Sequence, residues 1–179
     1  ARYAKTNQEM LLTSPSNFST AANTVTRSMH ARWQENEILT NQSNFTTQIQ
    51  TGMLLHKIST GIELTKENQL TKNYTAQTAQ TSNLYNPTNI SWNDLTLSGQ
   101  KSDGETTTVG AYLFDSINIG EKFIFTGGGR FDKYDTTNDI ISSTLVPSTL
   151  EDKGHLNSYK AGLVYKPLDN GSVYISRAT

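Results

Sequence analysis

The alternation running from Phe123 to Asp132 restricts this chain more than any other feature. Phe123, Phe125, Gly127, Gly129 and Phe131 fall on one side of an extended strand, and Ile124, Thr126, Gly128, Arg130 and Asp132 on the other. One side suits an apolar medium, while the other carries charge and suits water. Asn118, Ile119, Gly120 and Glu121 just before it form a tight turn, which makes the segment the second arm of a hairpin. The same period returns at Phe45, Thr47 and Ile49, at Ile58, Thr60, Ile62 and Leu64, and at Tyr159, Ala161, Leu163 and Tyr165. Polar residues and glycines fill most of the positions between them. No long stretch repeats its apolar residues at helical spacing.

These patterns predict strands at 2–12, 24–50 with an irregular middle, 57–72, 106–118, 123–136, 155–166 and 172–179. Several run about 12–15 residues, roughly 40–50 Å at the usual rise. A bilayer asks for only about 9–11 tilted residues. The connections at 51–56, 118–122 and 167–171 are short, and those at 73–105 and 137–154 are long. Alternate short and long connections fit an antiparallel membrane barrel, with long loops at one end only. The alternative is a soluble sandwich with one solvated face.

Composition separates the remaining classes. Hydrophobic residues make up 34%, charged residues 17%, and there are only 4 Pro. A disordered chain poor in apolar residues is usually rich in charge or proline, and this one is not. The net charge of −1 and the lack of a basic cluster argue against nucleic acid as a partner. With no Cys, disulfides, thiolate metal sites and thiol catalysis are excluded. No apolar run reaches the roughly 20 residues of a membrane helix, which leaves alternating strands as the only route through a bilayer. His30, His56 and His155 share no metal-ligand spacing. There is no Gly-x-Ser-x-Gly elbow and no acid pair with a reason to shift its pKa, so no catalytic residue is expected.

Three stretches, in order, carry a resemblance. "VGAYLFDSINIGEKFIFTGGGRFDKYD" resembles a hairpin of TonB-dependent outer-membrane receptors, with a Tyr-x-x-Asp strand, a periplasmic turn and a Gly-Gly-x-Arg-Phe-Asp strand. "ENEILTNQSNFTTQI" followed by "HKISTGIELTKE" is similar to the ferric-catecholate branch of that family, and "YKAGLVYKPLDNGSVYISRAT" to the next hairpin. The resemblance implies an all-β, antiparallel transmembrane β-barrel of about 22 strands, filled by a plug domain and energised through a TonB box. It implies about seven of those strands in residues 1–179, a partial barrel domain, with the plug and TonB box absent from this sequence. The implied function is TonB-dependent uptake of ferric siderophores, with a passive porin as the alternative. The implied partners are a ferric siderophore, the lipid bilayer and the TonB complex, reached through an N-terminal segment outside this sequence. No cofactor is implied, since iron enters only within the siderophore.

Two sets of residues are candidates for binding. Within "NYTAQTAQTSNLYNPTNISWNDLTLSGQKSDGE", Tyr74, Tyr85, Trp92 and Lys101 offer aromatic faces and a cation to a flat, aromatic, anionic iron complex. The competing reading is that these aromatics pack the loop or sit at the membrane edge. Arg130 and Asp132 are expected to face the lumen, with Lys57, Glu63, Lys160 and Lys166, while Phe123, Phe125, Phe131, Ile58, Ile62, Leu64, Tyr159, Ala161 and Leu163 face lipid. The Val109 side of its strand is assigned to lipid as well, with Asp115 near the periplasmic edge. Tyr165 and Tyr174 suit an aromatic girdle at that edge.

Overall fold

Where apolar and polar residues alternate over a dozen positions, each strand satisfies its backbone only by pairing on both sides. In a computed structural model of the chain, which describes residues 1–179 other than Ile90, Asn93 and Asp169, that pairing produces one antiparallel sheet. Its strands are β1 (Arg2–Ser19), β2 (Thr24–Thr51), β3 (Leu54–Tyr74), β4 (Gln80–Asn83), β5 (Leu97–Ile119), β6 (Phe123–Ile141), β7 (Pro147–Leu168) and β8 (Gly171–Ala178). They follow the order β1-β2-β3-β5-β6-β7-β8, and the short β4 pairs with β2. Apart from β4, each strand lies beside its neighbours in the chain, an up-and-down meander.

No second layer covers the sheet. Only Met29, Ser82 and Gly110 are buried among the described residues. A sandwich would bury a continuous apolar face, so that alternative is excluded.

The strands outrun the sequence expectation. β2 is continuous over 28 residues, and its expected irregular middle is absent. β5 begins at Leu97 and β7 at Pro147, so the long connections shrink to 75–96, which contains β4, and 142–146. Asp103 pairs with Asp139, both in stretches that the pattern assigned to loops, and Lys153 of the expected 137–154 loop pairs with Asp135. The reason is physical. Once a strand leaves the bilayer both faces are wet and the apolar alternation fades, but backbone pairing continues.

Tight turns close the opposite end. Gly52 (φ 62°) and Gly120 (φ 58°) take the left-handed conformation that glycine adopts without a Cβ penalty. In the third predicted turn Asp169 lies outside the described residues, while Leu168 pairs with Gly171 across it.

Register sorts the faces. Glu63 pairs with Gly110 and Gly110 with Asp132, whereas Ile62 pairs with Ala111 and Ala111 with Phe131. From 103 to 113 the odd residues of β5 are exposed and the even ones partly covered or buried, because side chains crowd on the hollow side of a curved sheet. Arg130, Asp132, Lys57, Glu63 and Lys160 share the inner face. The outer face carries Phe45, Ile49, Ile58, Ile62, Leu64, Val109, Leu113, Phe123, Phe125, Phe131, Tyr159, Ala161 and Leu163. This apolar band stops at Leu39, Leu64, Val109 and Phe131, and Glu37, Lys66, Glu105 and Lys133 continue the same face above it. On β2 the band runs from Ile49 to Leu39, about the bilayer requirement.

Near the turns, Phe123 stacks on Tyr165 with ring centroids 4.8 Å apart, a girdle pair on the outer face. Asp115 accepts a 2.6 Å hydrogen bond from His56 on that face. Tyr174, expected in the same girdle, instead pairs with Val164 and lies on the inner face, because Val173 and Ile175 take the outward positions of β8.

Candidate functional site

The inner wall is built from glycines and the large side chains that lie across them. Arg130 Nε donates to both oxygens of Asp132 at 2.9 and 2.8 Å, Nη2 donates to Asp132 Oδ1 at 2.7 Å, and Nη2 lies 3.6 Å from Glu63 Oε1. The guanidinium rests in the hollow left by Gly110, where an added Cβ would meet Asp132 Oδ1 at 2.6 Å and Arg130 Nη2 at 2.8 Å. Two carboxylates thus hold one guanidinium, and the cluster is left with one surplus negative charge.

The same device recurs along the wall. The Tyr112 hydroxyl crosses Gly61 to donate to Asn44 Oδ1 at 2.7 Å. Phe114 lies over Gly128, and Tyr134 over Gly154. Glycine leaves a gap in a strand, and an aromatic from the paired strand fills it. Of the three consecutive glycines in β6, Gly128 alone faces inward and receives such a ring.

Above the Arg130 cluster the inner wall is polar and mostly neutral. A cavity of ≈ 540 Å³ is lined by Thr6, Asn36, Gln69, Thr106, Thr136 and Asn138 among others. Its groups satisfy one another: Gln69 Nε2 donates to Asn36 Oδ1 at 2.9 Å, Ser102 Oγ donates to Asn138 Oδ1 at 2.8 Å, and the Thr106 and Thr136 hydroxyls lie 2.9 Å apart.

At the far end of the strands the 75–96 connection is tied down. β3 ends at Tyr74, so the top of β2 loses that neighbour, and β4 pairs with Thr24–Arg27 in its place. Arg27 Nη2 donates to the Thr88 carbonyl at 2.7 Å, buried Ser82 Oγ accepts from Thr88 N at 3.1 Å, and Asn83 Oδ1 accepts from the backbone N–H groups of Tyr85 and Asn86.

The four loop candidates are not brought together. The Tyr74 hydroxyl donates to Glu9, which holds its pKa above the ordinary phenol value. Trp92 Nε1 donates to Thr13 Oγ1 at 2.8 Å. Glu9 and Thr13 lie on the outer face of β1, opposite Trp33 and Met29. Lys101 lies 3.6 Å from Asp103 and pairs with Lys72, also on the outer face, where Lys72 sits 5.0 Å from the Trp33 ring. Tyr85, 79% exposed, is the freest of the four. The outer face above the band is otherwise a collar of ion pairs, including Lys5 with Glu35 and Glu37, Lys66 with Glu105, and Lys153 with Asp135. Hydrogen bonding by Glu37 holds the Lys5 ammonium above its ordinary pKa.

Sequence reasoning did not single out Arg32. It pairs with Met10 and Asn73 on the inner face near the mouth, exposed and without an ion-pair partner among the described residues. Alternation on β2 was the signal that gives its facing. His30, next to it on that face, has Nε2 2.9 Å from Ser14 Oγ, and His155 stacks on Phe131 at 6.1 Å. No group of His or acidic residues among the described residues gathers as a metal site.

A sheet with an apolar exterior band, a self-satisfied polar interior and strands longer than a bilayer defines the wall of an outer-membrane β-barrel. The family model described as TonB dependent receptor-like, beta-barrel matches residues 1–179, and the chain belongs to that family. It is 32% identical over 206 residues to the catecholate siderophore receptor Fiu of Escherichia coli (strain K12), covering 99% of this chain. It is 25% identical over 201 residues to the probable TonB-dependent siderophore receptor PiuA of Acinetobacter baumannii, covering 100% of this chain. The chain spans 27% of the length of each of these relatives. The open-form crystal structure of the ferric-catecholate import receptor Fiu from E. coli K12 superposes with a TM-score of 0.86 at 31% identity, over 98% of this chain and 31% of that one. The crystal structure of PiuA from A. baumannii gives 0.81 at 24%, over 98% of this chain and 28% of that one. The apolar band is therefore the lipid-facing surface of a barrel in the bacterial outer membrane.

Proposed function

We propose that this chain forms part of the barrel wall and mouth of a receptor that takes up ferric siderophores of the catecholate type, driven through TonB. The carrying observation is the 32% identity to a catecholate siderophore receptor over 99% of the chain. The inner face supports the reading. It is polar, it satisfies its own hydrogen bonds, and among the described residues it offers no titratable cluster suited to covalent chemistry. On this reading iron is cargo, and TonB acts through a part of the receptor outside these residues. Tyr85 supplies an aromatic face at the rim on which a catecholate ring stacks. Trp92 and Tyr74 hold the loop that carries it.

The test uses the purified full-length receptor. Iron(III) tris-catecholate should quench its intrinsic fluorescence in a saturable manner, and uptake of labelled iron by cells should require TonB. A receptor that binds no ferric chelate would overturn the reading and leave a passive pore in its place.

A further inference from the structure

We infer that Arg32 is the cationic contact through which the vestibule wall recognises an anionic iron chelate, an inference that rests on the receptor reading above. Three observations carry it. The first is position. Arg32 pairs with Met10 of β1 and Asn73 of β3, in step along β2 with the inner-face residues Gln34, Asn36, Ile38, Thr40, Gln42 and Asn44. It lies seven residues beyond Leu39, where the apolar band ends, roughly 23 Å further along the strand. That places it above the membrane, on the wall that an incoming solute meets.

The second is charge. Among the described residues, Arg32 is the one Lys or Arg on the inner face of the strands above the band. Arg130, deeper in the wall, is occupied by Asp132 and Glu63. Lys5, Lys66, Lys101 and Lys153 face outward, each against a carboxylate, and Lys72 lies over Trp33. Among the described residues Arg32 has no such partner. On β2 and β3 the nearest inner-face carboxylate is that of Glu67, which pairs with Ile38, three side-chain steps or roughly 20 Å lower. The positive charge is uncompensated and exposed.

The third is chemistry. An iron(III) tris-catecholate carries three negative charges on oxygens at the edges of flat aromatic rings. A guanidinium offers paired N–H donors to such oxygens, stacks on ring faces and never loses its charge. Met10, directly across the ladder, supplies an adaptable apolar surface beside it. Because β2 is paired on both sides at this point, the contact is held in place before the ligand arrives.

The experiment titrates the full-length receptor and its R32Q and R32K variants, as folded heat-modifiable barrels, with iron(III) tris-catecholate and with an uncharged ferric trihydroxamate. Titrations run at low and high salt. The outward-facing K101A variant is the control for general loss of charge. R32Q should weaken tris-catecholate binding roughly fivefold or more and flatten its salt dependence, with R32K intermediate. Any binding of the neutral chelate should not change, and K101A should match wild type. Wild-type affinity and salt slope in R32Q would overturn the assignment while leaving the receptor reading intact. Equal losses in R32Q and K101A would overturn it too, showing only a long-range field. Absence of chelate binding by wild type would remove the receptor reading and this inference together.

Discussion

Phe114 lies directly across the ladder from Gly128, and a Cβ added to Gly128 would come within 2.2 Å of the Leu113 carbonyl oxygen and 2.5 Å of Phe114 Cδ1. The first of these is backbone and has no room to move. The flanking glycines differ: at Gly127 the nearest atom is Phe125 Cε1, a ring edge at 3.0 Å, and at Gly129 it is the Ser158 carbonyl at 3.1 Å. Gly128→Ala should therefore destabilise the barrel by roughly 1–3 kcal/mol, the usual cost of overpacking. Gly127→Ala and Gly129→Ala should each cost less. Urea unfolding of the detergent-solubilised receptor measures the order, and equal effects at the three positions would contradict it.

Tyr112 and Asn44 make a parallel case across Gly61. Tyr112→Phe removes the 2.7 Å hydrogen bond and should cost about 1 kcal/mol. Gly61→Ala should cost more, because its Cβ would lie 2.7 Å from the Ser43 carbonyl as well as 2.8 Å from the Tyr112 hydroxyl. A double-mutant cycle checks the coupling: the two changes should be less than additive, since either one alone breaks the Tyr112–Asn44 hydrogen bond and Tyr112→Phe leaves no hydroxyl for the added Cβ to meet.

Facing is testable with two adjacent residues. Phe45 is 61% exposed on the outer face inside the apolar band, and Thr46, paired with Ser59, is turned inward. Phe45→Arg should cost about 2–4 kcal/mol, as a cation does near the middle of the lipid face of a barrel. Thr46→Arg should change stability by no more than about 0.5 kcal/mol. Folding titrations into lipid vesicles give both values, and the reverse order would invert the wall.

The loop anchor predicts a local effect. Trp92→Phe keeps the ring and loses the hydrogen bond to Thr13. Amide hydrogen exchange should quicken at Leu84, Tyr85 and Thr88, whose N–H groups are held by Asn23, Asn83 and Ser82. The central ladder of β5 and β6 should exchange as before. Unchanged protection throughout would show that Trp92 does not hold the loop.

The lower half of the wall was legible because lipid and water impose opposite demands on alternate residues. Phe123, Phe125 and Phe131 against Arg130 and Asp132 is a pattern that only a two-faced strand produces. Higher up that contrast disappears. Thr136, Thr137, Asn138 and Asp139 carry no apolar mark, yet they continue β6 to Ile141. The binding candidates suffered for the same reason. Tyr74 and Lys101 look like loop residues in the sequence, but they stand on strands whose register turns both away from the channel. Arg32 stands between Ala31 and Trp33 in the part of β2 that the pattern left irregular, and its pairing with Met10 and Asn73 fixes the direction that alternation along β2 gives it.

The continuation of the ladder beyond the band changes how a solute would be received. Over most of this stretch the vestibule is enclosed by paired backbone rather than by free loop, so its walls have already lost their conformational freedom during folding. A solute arriving there does not have to pay for ordering them. Discrimination at this depth then comes from shape and charge set in advance, and the rate of capture follows diffusion into a stiff funnel more closely than the closing of a flexible lid.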